Sequence, residues 1–76
     1  MRHYRTDTVA LQKLMIDAGF KTVSALAEAS ETDRNTLGKV INGKTQPSAD
    51  MMDKLAVALK MDSGTAGAVF FCPELT

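Results

Sequence analysis

Between Arg34 and Ala49 the chain carries Arg34, Lys39 and Lys44 and no acidic residue. Arg34, Asn35, Gly38, Lys39 and Asn42 recur at spacings of four and seven, which places them on one face if the segment is helical. Exposed donors without a neighbouring carboxylate suit the major groove of DNA. Arg and Lys donate to guanine O6 and N7, and Asn pairs in a bidentate way with adenine N6 and N7. Two features weigh against this. Short charge runs also mark solvated faces, and 9 Lys+Arg against 9 Asp+Glu gives a net charge of zero, without the basic excess that phosphate binding usually leaves.

Reaction chemistry finds no foothold. Cys72 is the single cysteine and His3 the single histidine, so no nucleophile and base are placed together and no enzyme is expected. The same counts exclude an internal disulfide and a cysteine-rich zinc site. We expect no metal, no cofactor and no small-molecule substrate, and a reducing, cytoplasmic setting. The longest apolar run, Ala68 to Cys72, is far short of the roughly 20 residues of a membrane span, and Met1 to Thr8 lacks a signal-peptide apolar stretch. The expectation is an unprocessed intracellular chain with no membrane partner.

The elements that must position the donor face are helical. Leu11, Leu14, Met15 and Ala18 fall at i, i+3, i+4 and i+7 with Gly19 as a left-handed stop, predicting a first helix over Thr8 to Ala18. Thr22 caps a short second helix to about Ala29, in which Val23, Leu26 and Ala27 share a face. Asp33 caps a third, with Leu37, Val40 and Ile41 inward and Asn42-Gly43 ending it. After Pro47, Ser48 caps a fourth with a stripe of Met52, Leu55, Ala56 and Leu59. A short fifth helix follows Ser63, weakened by Gly64 and Gly67. The apolar run Val69-Phe70-Phe71-Cys72, closed by Pro73, is too short to tell strand from helix by period; with no convincing strand elsewhere, the fold class is all-α. The second and third helices, separated only by Ser30, Glu31 and Thr32, must cross at about 90 to 120°, with Ala27 as the small residue at the contact.

The run Thr22-Val23-Ser24-Ala25-Leu26-Ala27, then Thr32 to Leu37, Val40-Ile41-Asn42-Gly43-Lys44 and Pro47-Ser48, resembles the Cro-like, phage-repressor helix-turn-helix family. The likeness extends over about Thr8 to Lys60. It implies a compact bundle of five short helices, a lambda-repressor-like domain, in a transcriptional regulator that binds double-stranded operator DNA, usually as a dimer. By position it implies base contacts from Arg34, Asn35 and Lys39. It implies phosphate contacts from Thr22, Ser24, Thr36, Asn42 and Lys44. Val23 stands where many members carry glutamine, and Glu31 where many carry glycine.

The expected organisation is one domain over residues 1–76: a flexible arm at 1–7, a helical core at 8–60, and a fifth helix and tail at 61–76. Arg2, Tyr4 and Arg5 could touch phosphate, although a mobile terminus accounts for them more simply. The core looks complete by Lys60. Val69, Phe70 and Phe71 are therefore expected to bury against another chain, identical or a partner regulator, with folding back onto the first and fourth helices as the alternative. Met15, Met51, Met52 and Met61 are read as core fillers. The competing functional class is a protein-interaction module that binds another regulator and modulates its DNA binding.

Overall fold

Each helix begins where a side-chain oxygen can satisfy a first-turn amide, and five such starts lie within residues 4–73, which the computed structural model describes. Asp7 accepts from the Ala10 amide at 3.1 Å, opening α1, Thr8–Asp17. Thr22 accepts from Ala25 at 3.1 Å, opening α2, Val23–Ser30. Asp33 accepts from Thr36 at 2.8 Å, opening α3, Arg34–Ile41. Ser48 accepts from Met51 at 3.1 Å, opening α4, Ala49–Ala58. The start of α5, Ser63–Phe70, is capped by Asp62, one residue before the expected Ser63, through the Thr65 amide at 2.7 Å.

The helix ends are as local as the starts. After α1 the Phe20 amide reaches back to the Met15 carbonyl at 2.9 Å, with Gly19 at φ +93°; after α3 the Lys44 amide reaches Lys39 at 2.8 Å, with Gly43 at φ +77°. These are left-handed stops that glycine accommodates without strain. Two other stops are made without glycine, by Glu31 at φ 56° and Lys60 at φ 55°.

The core gathers Leu11 and Met15 of α1, Leu26 and Ala27 of α2, Leu37, Val40 and Ile41 of α3, and Met51 and Leu55 of α4, with Leu59, Val69 and Phe70. Along α4 it is Met51 that is buried, while Met52 and Ala56 are half-buried; Ala18, just past the end of α1, is exposed.

Three expectations are corrected at the ends of the chain. The core is not complete by Lys60: Val69 and Phe70 are 3% and 1% exposed, so the alternative of folding back holds for them and only Phe71, at 51%, remains open. Burying a Val or Phe side chain is worth about 1.5–3 kcal/mol, which a thin core can use. The expected flexible arm is tied down from Tyr4 onward. Tyr4–Arg5 forms β1, antiparallel to β2 at Cys72–Pro73, with Tyr4 opposite Pro73 and Arg5 opposite Cys72. Thr6 is buried, and the Asp7 amide donates to the Val69 carbonyl at 2.7 Å. The ladder adds a two-residue seam to an all-α fold; strands so short carry no alternation to detect. Arg2 and His3 lie outside the described residues.

Candidate nucleic-acid interface

The interface grows from the turn between α2 and α3. Ser30, buried, donates its hydroxyl to the Leu26 carbonyl at 2.7 Å and lies 2.9 Å from the Thr32 hydroxyl. The Thr32 amide returns to the Ala27 carbonyl at 3.0 Å, with Glu31 left-handed at φ 56°, ψ 41°. Glu31 thus makes a left-handed turn without glycine, at the steric cost of a side chain in that conformation. Leu26 and Ala27 on one side, with Leu37, Val40 and Ile41 on the other, are buried, so α3 is fixed about its own axis.

That fixes what α3 shows to solvent. Arg34, Asn35, Lys39 and Asn42 are exposed, as are Thr22 and Ser24 at the start of α2 and Lys44 beyond α3. All seven line one shallow depression of 350 Å³, together with Val23 and Gly38. The Arg34 guanidinium donates from Nη1 to Ser24 Oγ at 3.4 Å, joining the two helix starts across the depression. Thr36, the eighth expected contact, is not among the lining residues; its hydroxyl and its amide both donate to Asp33 Oδ2, at 2.9 and 2.8 Å. Those two bonds hold the Asp33 carboxyl below its usual pKa, with a smaller contribution from the charge of Lys39. The acid nearest the donor face is therefore directed into the first turn of α3, where the helix dipole favours it.

Val23 packs half-buried against the core, so it serves the fold and not the depression's polar surface. Gly38 lies between the donors, and a Cβ there would meet nothing within 4 Å. The middle of α3 is a low, open saddle flanked by Asn35 and Lys39.

Gln46 and Gln12 were not legible as positioning residues. Gln46 Oε1 accepts from Thr6 Oγ1 at 3.1 Å, and its Nε2 donates to the Phe70 carbonyl, so one side chain holds the α3–α4 loop to both ends of the chain. Gln12 Nε2 donates to the Ile41 carbonyl at 3.2 Å, satisfying an acceptor in the last turn of α3. These partners are 24 to 40 residues apart in sequence, where spacing carries no signal.

Among the described residues no cluster of three or more His, Cys, Asp or Glu side chains is poised to hold a metal ion, and no helix is long and apolar enough to cross a membrane. Comparison with curated proteins and with solved structures gives no match. A family model, the Cro/C1-type HTH DNA-binding domain, matches residues 10–65, most of the chain and the whole of α2, the turn and α3. With the tight turn anchored by buried Ser30, the acid-free donor face and that match in agreement, the chain belongs to the Cro/C1-type helix-turn-helix DNA-binding family.

Proposed function

We propose that this DNA-binding regulator is a sequence-specific repressor acting by operator occupancy, with α3 laid in the major groove. The observation that carries the reading is the single depression in which Arg34, Asn35 and Lys39 stand beside the phosphate-seeking set of Thr22, Ser24, Asn42 and Lys44. An eight-residue helix is about 12 Å long, close to the width of the major groove. Arg34 and Lys39 address guanine and Asn35 addresses adenine, while the first-turn amides of α2 and Lys44 grip the backbone on either side. Thr36 braces Asp33 and contacts phosphate only if it leaves that bond.

The same proposal includes a homodimer reading two half-sites about one helical turn apart. Its contact is the exposed Phe71 ring, stacked edge-on against exposed Tyr4 with centroids 6.2 Å apart. Zero net charge and the inward turn of Val23 favour the alternative of an interaction module that binds another regulator.

Titration with duplex DNA at two salt concentrations separates the readings, because direct binding must weaken steeply as salt rises. Arg34→Ala or Asn35→Ala is expected to cost about 1–3 kcal/mol on the preferred site and relax base preference, leaving folding intact. Lys44→Ala is expected to weaken all duplexes alike and lower the salt slope by about 1. Equal losses on preferred and random DNA for Arg34→Ala would remove it from base readout.

A further inference from the structure

A second groove lies beside the recognition depression, between the paired chain ends and the α3–α4 loop, with a volume of 590 Å³. Its walls include Arg5, Thr8, Asn42, Lys44, Thr45 and Cys72. Asn42 and Lys44 line both grooves, so the two are one continuous surface. Arg5 therefore extends the cationic track past Lys44 onto the seam formed by β1 and β2. Among the described residues the one ion pair is Lys54–Asp50 on α4, and none of the described carboxylates pairs with Arg5 or Lys44. Asp7 is the acid in the groove, and it is engaged at the start of α1 by the Ala10 amide.

We propose that this groove seats a further DNA phosphate, held by Arg5 and Lys44, so that the backbone footprint runs from the start of α2 across the α3–α4 loop to β1. The proposal rests on the DNA-binding reading and adds to it Arg5, which lies outside the residues 10–65 that the family model matches. Two constructions make it specific. Arg5 is fixed in the ladder opposite Cys72, so its guanidinium is delivered from a held backbone and not from a loose terminus. Gln46, bonded to Thr6 and to the Phe70 carbonyl, ties the Lys44 loop to the same seam, so the two cations keep their relation as the chain docks. Thr8 and Thr45 supply hydroxyls along the wall between them.

The test compares the wild-type chain with Arg5→Gln, Arg5→Lys and Lys44→Ala, titrating one preferred and one random duplex across a salt series. Neutralising one phosphate contact lowers the slope of log affinity against log salt by about 0.9. Arg5→Gln is expected to lower the slope by that amount on both duplexes equally, Arg5→Lys to restore it, and both variants to melt as the parent does. An unchanged slope for Arg5→Gln, with a normal slope for the parent and a reduced one for Lys44→Ala, overturns the groove proposal while leaving the recognition face standing. A parent chain that shows no salt-dependent duplex binding overturns both. A slope lowered equally by Arg5→Gln and Arg5→Lys assigns the effect to seam geometry and not to charge, and the proposal falls.

Discussion

The turn between α2 and α3 and the seam at the chain ends are built from opposite kinds of contact. In the turn, the partners are three to five residues apart: Thr22 with Ala25, Thr32 with Ala27, Asp33 with Thr36. In the seam they are 24 to 69 residues apart: Tyr4 with Pro73, Asp7 with Val69, Thr6 with Gln46, Gln46 with Phe70. The first region turns charged and polar side chains outward, and the second turns Val69 and Phe70 inward. The face proposed to read DNA is thus a locally coded segment, and its fixed position depends on a closure that joins the two ends.

The largest expected effect tests the seam. Phe70→Ala should cost about 3–5 kcal/mol, comparable to the 2–5 of Leu37→Ala or Leu55→Ala, and truncation before Val69 should lose the cooperative unfolding transition altogether. Denaturant titration followed by circular dichroism reads all four. A Phe70→Ala chain that melts with its parent would mean that the seam is ornament and the comparison is wrong.

Gly38→Ala probes the other region. The free chain has room for the methyl group, so stability should rise by about 0.5–1 kcal/mol, while on the proposed reading duplex binding weakens, because the added Cβ stands on the saddle set against the base edges. Stabilisation without any loss of binding would place DNA elsewhere. Glu31→Gly, within the turn, should gain about 0.5–1 kcal/mol by relieving the left-handed backbone, less the entropy that glycine adds to the unfolded chain. Lys60→Gly, outside both regions but at a similar φ, provides the matched control.

The smallest effect is a pH dependence. The Asp33 carboxyl has a folded-state pKa below its unfolded value because Thr36 donates two hydrogen bonds to the ionised form. Its contribution to stability is present above the unfolded-state value of about 3.9 and is lost as pH falls through the lower folded-state value. Asp62, held by the Thr65 amide, shifts in the same direction. The stability difference between the parent and Asp33→Asn should therefore be flat near neutrality and shrink in the acid range; a difference that grows on acidification would contradict the assignment.

Much of this was legible in the chain itself, and the boundary between what was and was not follows the same contrast. The caps at Thr22, Asp33 and Ser48, the buried stripe of Leu37, Val40 and Ile41, and the outward donors all follow from spacings of three, four and seven. The placement of Val69 and Phe70 did not follow, because the same apolar run serves a core or an interface equally well until the position of Tyr4 to Asp7 is known. Gln46 was silent for the same reason: a polar residue before proline looks like any loop residue, and its partners are distant in sequence. For Thr36 the hydroxyl was legible but not its engagement by the cap three residues before it.

The central claim is that DNA meets the α2–α3 face, and backbone amide chemical-shift mapping during titration of the intact chain with a duplex tests it without altering any residue. The expected shifts cluster at Thr22 to Ser24, Arg34 to Lys39 and Asn42 to Thr45, with the buried core of α4 and α5 unmoved. Shifts confined to the exposed apolar positions Ile16 and Val57, with α3 silent, would contradict it.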